Sequence, residues 1–223
     1  MDRTFGLGEF VFLLKAVPWT ILLSLGAMLG GGVLGLIISV ARIAPLSPIR
    51  WLATGYIEVF QGTPVLMQLF IIYYGLAVLV GVQVDAWIAV LVAFTLYAGA
   101  FLGDIWRGCL QAVPRQQWEA AASLSMSYLK QLRYVIVPQA ARIAIAPTVG
   151  FLVQLIKSTS IAAIIGFVEL TRAGQLMASA TFQPMIVYPI VAGMYFLICR
   201  PLTSLASIFE RRSHAATGTK WYF

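Results

Sequence analysis

Side chains able to do chemistry are few in this chain, and they fall into three groups. Glu58, Gln61, Thr63 and Gln68 flank a Gly62-Thr63-Pro64 break inside a long apolar run. Lys157-Ser158-Thr159-Ser160 closes another run, with Glu169 and Arg172 beyond it. Between residues 109 and 133 lies a polar stretch containing Glu119-Ala120-Ala121-Ala122. None of the three has the spacing of a catalytic machine. No glycine-rich phosphate loop ends in Gly-Lys-Ser/Thr, so the chain carries no nucleotide cradle of that kind. Cys109, Cys199 and the single His214 make no metal-ligand pattern, which reads as no metal, two free thiols and a solvated tail histidine. There is neither a nucleophile elbow nor a carboxylate dyad. The chain reads as no enzyme, and uphill transport through it would draw on a partner or an ion gradient.

The elements that must position these groups are membrane helices. Of 223 residues, 61% are hydrophobic and only 10% charged, against roughly a quarter charged in soluble domains. Apolar runs of about 20 residues predict an all-α membrane protein with five transmembrane helices. The predicted spans are residues 19–40, 52–80, 86–106, 134–156 and 184–209. Residues 1–16 read as an interfacial lead-in, 17–210 as the membrane domain and 211–223 as a basic cytoplasmic tail. The net charge of +7 lies mostly between spans, where it sets topology, so no nucleic-acid partner follows from it. Arg42, Arg50, Arg107, Arg115, Lys130 and Arg133 fall on one side, with the tail's Arg211, Arg212 and Lys220; the excess predicts N-out, C-in. Gly26/Gly30 and Gly31/Gly35 are each four apart, spacing that lets helices touch backbone to backbone within the subunit or across two subunits.

Each polar group keeps two readings. Pro64 is a kink satisfied by neighbours, or it breaks the helix beside a polar passage, since polar side chains at membrane depth face protein or water. Lys157 lines that passage or snorkels to the interface. Asp104 and Arg107 are three apart and predict a local ion pair. The helix beginning near Gln117 is a docking element stripped to alanines on one side, or an ordinary surface helix. Glu119 pairs with a basic residue on a partner or caps its own helix N-terminus.

The motifs resemble one family over roughly residues 17–210. Glu119-Ala-Ala with Pro138 nineteen residues on resembles the EAA loop of the type-I membrane subunits of bacterial ABC importers. Phe60-Gln-Gly-Thr-Pro64 with Gln68, Arg107-Gly-x4-Val-Pro114, Pro138-Gln-Ala-Ala-Arg142 and Gly166-x2-Glu169-Leu-Thr-Arg172 are similar to its polar amino-acid branch. Four positions depart from the pattern: Gln61 replaces arginine, Asp104 glutamate, Gln116 glycine, and Ser125 the glycine that bends the coupling element.

The resemblance implies a permease subunit of an ATP-driven amino-acid importer in the bacterial inner membrane. Its partners would be an ABC ATPase subunit carrying ATP and magnesium, a second permease subunit (identical or related), an extracytoplasmic amino-acid-binding protein and the lipid bilayer. A cytoplasmic EAA coupling helix between spans three and four, within Glu119 to Tyr128, would meet the ATPase through Glu119, Ala120, Ala121, Ser125 and Pro138. The substrate path would use Glu58, Gln61, Thr63, Gln68, Lys157, Ser158, Thr159 and Glu169. The competing readings are an ion-coupled secondary carrier, which calls for an inverted repeat that is not evident, and a non-transporting membrane scaffold.

Overall fold

The computed structural model describes residues 5–44 and 46–217, and every regular element among them is helical. In order these are α1 (Leu7–Arg42), α2 (Ser47–Gly62), α3 (Val65–Phe70), α4 (Leu76–Val80), α5 (Ala86–Gln111), α6 (Arg115–Ser123), α7 (Tyr128–Gln131), α8 (Val137–Ser158), α9 (Leu170–Thr181) and α10 (Pro184–Thr217). Wide π turns at Ile71–Gly75 and Leu132–Ile136 join α3 to α4 and α7 to α8, and a 3-10 turn at Thr159–Ile165 extends α8.

Four helical stretches are long and apolar enough to cross a membrane: Leu7–Arg42, Ala86–Gln111, Tyr128–Ile165 and Pro184–Phe209. The expected second span is instead a bent pair, Ser47–Gly62 and Val65–Leu79, whose arms meet at 103°. Counting that pair as one broken span makes five. Pro64 explains the break, because it has no N–H to continue the ladder and drives Thr63 into extended backbone.

The predicted interfacial lead-in is not a separate element. Residues 7–16 belong to α1, which runs unbroken through Pro18 for 36 residues. At 1.5 Å per residue that is about 54 Å, well beyond the ~30 Å hydrocarbon core. Leu13 and Ala16 explain the continuity: both are buried against Leu170, Ala173 and Val187 of α9 and α10. In the predicted tail, residues 211–217 continue the α10 backbone, and 218–223 fall outside the described residues.

The main core joins Leu23 and Ala27 of α1, Leu69 of α3, Phe94 and Leu102 of α5, and Leu155 of α8. The α1–α5 crossing is its tightest seam. A Cβ placed on Gly31 would lie 2.4 Å from that of Ala98, and one on Gly35 would lie 2.8 Å from that of Leu102. Reciprocally, Gly99 abuts Leu34 and Gly103 abuts Ile38. Two glycine pairs at four-residue spacing therefore interlock, and Gly31/Gly35 are used within the subunit.

Candidate coupling element and translocation path

The polar stretch between α5 and α8 folds as two short helices in a tight corner. Pro114 opens α6 with φ −55°, the value its ring imposes. The corner is made at Ser125, which takes the left-handed conformation at φ +55°. Ser125 N–H donates to Ala122 O at 2.9 Å and Met126 N–H to Ala121 O at 3.3 Å, which satisfies carbonyls at the end of α6. So serine does adopt the glycine-like bend, at a steric cost that glycine would avoid.

Beneath the corner, Val113, Ile136 and Ala140 are buried together, with Leu110, Trp118 and Leu132 packed against them. Trp118 stacks on Tyr128 at 5.9 Å, and Gln139 Nε2 on α8 donates to Gln117 Oε1 on α6 at 3.2 Å. Helix α6 is thus held to the start of α8 by both apolar and polar contacts. Pro138 directly follows the π turn at Leu132–Ile136, where the widened ladder accommodates its missing N–H.

The alanines divide in a way that corrects the bare-face reading. Ala121 is 3% exposed and turned into the chain's own packing, one turn from Trp118. Ala120 and Ala122 are exposed, as are Glu119, Ser125 and Leu124. The outward surface of α6 therefore carries Ala120 and not Ala121. Glu119 forms an exposed pair with Arg115 at 3.1 Å. It lies in the second turn of α6, so the N-terminal cap reading is overturned.

Around the broken span, Glu58, Gln61 and Thr63 are exposed on the subunit, while Gln68 is 7% exposed. Gln68 Nε2 reaches Phe60 O at 2.9 Å, Thr63 O at 3.1 Å and Thr63 Oγ1 at 3.0 Å. Thr63 Oγ1 in turn donates to Val59 O at 2.7 Å. Carbonyls freed at the end of α2 are thereby satisfied, leaving Gln68 Oε1 buried without a partner. The helix is broken at Pro64, and its loose ends are tied by neighbours, as the kink reading expects. Gln61 Nε2 lies 3.4 Å from Ala100 O.

At the other group, Lys157 is exposed and Ser158 half-buried, its hydroxyl donating to Gln154 O at 3.0 Å. Thr159 is fully buried and donates to Ile156 O at 2.7 Å. Glu169 is also fully buried and caps α9: Oε1 accepts Arg172 N–H at 2.8 Å, and Oε2 accepts the Tyr195 hydroxyl at 2.7 Å. Leu170 N–H beside it donates to Thr20 Oγ1 of α1 at 3.1 Å. Burial pushes the Glu169 carboxyl above the usual carboxylate range, against the downward pull of these hydrogen bonds. Tyr195 and Thr20 carry no warning in the sequence, because their partners are distant along the chain. No hydrogen bond among the described residues joins the Glu58–Gln68 group to the Lys157–Glu169 group. Asp104 and Arg107 form the expected ion pair at 2.7 Å.

Comparison with known proteins places this geometry. The family model described as binding-protein-dependent transport system inner membrane component matches residues 31–214. The "Probable amino-acid ABC transporter permease protein YckA" of Bacillus subtilis is 37% identical over 202 residues, covering 91% of this chain and 87% of that protein. The L-cystine transport system permease protein TcyB of Bacillus subtilis is 36% identical, covering 88% and 84% respectively. Among solved structures, a crystal structure of an amino acid ABC transporter with histidines superposes with a TM-score of 0.87 at 33% identity, covering 94% of this chain and 100% of that one. An inward-facing MetNI methionine ABC transporter shares the fold, with a TM-score of 0.80 at 17% identity. With the match spanning most of its length, the chain belongs to the family of binding-protein-dependent transport system inner membrane components.

Proposed function

We propose that the chain is the permease subunit of an ATP-driven amino-acid importer, oriented N-out and C-in, with α6 as its coupling helix. The observation that carries the coupling role is the two-sided tie of α6 to α8, through the Val113–Ile136–Ala140 cluster and Gln139–Gln117. A short helix held at both apolar and polar points moves with the span it is tied to. ATP binding and hydrolysis belong to the separate ATPase subunit, which holds ATP and magnesium. Its docking surface here is Glu119, Ala120, Ala122, Leu124 and Ser125, with Ala121 setting the helix from within and the exposed Pro138 at the junction with α8. Leu124 and Leu129 are 77% and 73% exposed, an apolar complement to that surface.

The substrate path is proposed along the faces that leave polar groups exposed at membrane depth. These are Glu58 and Gln61 on α2, Thr63 at the break after it, and Gln154 with Lys157 on α8. A second permease subunit would close the path, and an extracytoplasmic amino-acid-binding protein would deliver cargo to it. Gln68, Thr159 and Glu169 shape this path from behind; they do not touch cargo in this reading.

The test is ATP hydrolysis in proteoliposomes holding this chain and its candidate ATPase, with the binding protein and a panel of amino acids. Stimulation by one or a few amino acids is expected. Absence of a complex, together with no stimulation by any of them, overturns the proposal.

A further inference from the structure

An apolar groove of about 470 Å3 opens between the α6-side ends of α1, α5 and α8. Leu36 and Val40 of α1, Trp106 of α5, Leu132, and Ala141 and Ala144 of α8 form its walls. Its origin is legible in side-chain size, since methyl groups on α8 face α1 where larger residues would close the gap. The polar residues on its walls offer little to water. Ser39 Oγ donates to Leu36 O at 2.9 Å, and Trp106 Nε1 donates to Thr148 Oγ1 at 2.9 Å. With the Ser39 hydroxyl and the Trp106 indole N–H already used, a wall this apolar suits hydrocarbon better than water.

Its direction follows from α8. Arg142 lies two residues from both Ala140 and Ala144, about 200° around the helix, and it is exposed together with Gln154 and Lys157. Charged groups on membrane helices turn toward protein or water. The groove opens largely on the other side of α8, the side a bilayer would then meet. Basic groups mark its α6-side end. Arg42 lies between the wall residues Val40 and Ile43; its Nη1 donates to Thr54 Oγ1 of α2 and its Nε is buried, so Nη2 is the group left for a headgroup, and Arg133 directly follows Leu132 and is exposed.

We propose that this groove binds one acyl chain of an anionic phospholipid from the leaflet on the α6 side, with its headgroup at Arg42 and Arg133. The chain would pack on Leu132 and Ala140, which belong to the cluster anchoring α6. Its effect on coupling rests on the role proposed above for α6; the binding itself does not.

The test uses the full chain in phosphatidylcholine vesicles containing a minority of phosphatidylglycerol. Bromine is placed on the phosphatidylglycerol chains or, in matched vesicles, on an equal amount of phosphatidylcholine. The chain has 6 tryptophans, so subtracting a Trp106→Phe sample isolates the fluorescence of Trp106. Several-fold stronger quenching by brominated phosphatidylglycerol is expected, and Arg42→Gln with Arg133→Gln should equalise the two lipids. Ala144→Phe should remove the quenching by filling the groove; if that variant does not fold, the two-lipid comparison on the unaltered chain still decides. Equal quenching by both lipids would reduce the groove to ordinary bilayer contact and overturn the proposal. No quenching by either would mean that protein, such as a second copy, covers it, and would overturn it equally. No ATPase enters this assay, so its failure is distinct from failure of the transport reading.

Discussion

Gln68 Nε2 lies 3.1 Å from the carbonyl and 3.0 Å from the hydroxyl oxygen of Thr63, across the break that Pro64 makes. With Phe60 O also in reach, two N–H groups serve three acceptors. Gln68→Leu would leave these part-buried acceptors without their donor, at a cost of about 1 kcal/mol. Gln68→Glu should be worse, because an ionised carboxylate only accepts and would face carbonyl oxygens. Melting temperature in detergent should fall in the order parent, Leu, Glu. A Glu variant as stable as the parent would refute the tie.

The α1–α5 seam makes a sharper steric claim. At Gly31 even a methyl group would meet Ala98 Cβ at 2.4 Å, a contact that requires backbone movement. Gly31→Ala should therefore destabilise by about 1–3 kcal/mol, as overpacking does. Gly150 on α8 has no heavy atom near a built Cβ, so Gly150→Ala should be almost neutral in the same melting assay.

The two neighbouring alanines of α6 should behave oppositely. Ala120→Trp changes an exposed position and should prevent copurification with the ATPase while leaving the subunit's own melting temperature unchanged. Ala121→Trp puts a large ring at a 3% exposed position and should lower the melting temperature of the subunit alone. If Ala120→Trp copurifies normally, the outward face has been misassigned.

How far these features could be read from residues alone depends on their range. The spans were legible because apolar runs of membrane length need no tertiary information. The Asp104–Arg107 pair was legible because helix geometry alone brings positions three apart together. Inclusion of residues 7–16 in α1 was not, since it depends on Leu13 and Ala16 meeting α9 and α10. Three consecutive alanines cannot say which of them points inward; Trp118, one turn before Ala121, is the signal that could have decided it. The Glu169–Tyr195 contact spans 26 residues and two helices, with no periodicity to reveal it.

Ser125 holds φ +55° without being glycine. Strain there is about 1–2 kcal/mol for a residue with a Cβ, offset in part by the greater unfolded-state freedom of glycine. Ser125→Gly should slow amide exchange across α6 and α7 slightly, and Ser125→Val should accelerate it markedly. Faster exchange in the glycine variant would show that the serine hydroxyl, and not the backbone, holds the corner.

Glu169 predicts a pH dependence with a definite sign. Its folded pKa is raised above the ordinary glutamate value of about 4.3 because burial penalises the charged form. Its contribution to stability is then fully present below the unfolded value and is lost as pH rises through the folded one. The melting temperature of the subunit should decline across that interval. Glu169→Gln keeps its oxygen as acceptor for the Arg172 N–H and turns Nε2–H toward the Tyr195 hydroxyl oxygen, but it cannot ionise, so it should flatten the decline while retaining α9. Tyr195→Phe removes the hydroxyl that holds the carboxylate and should steepen the decline, because the charged form loses its closest donor on α10. Parallel melting curves for parent and Glu169→Gln across the range would assign the pH response to other groups and leave Glu169 as a helix cap alone.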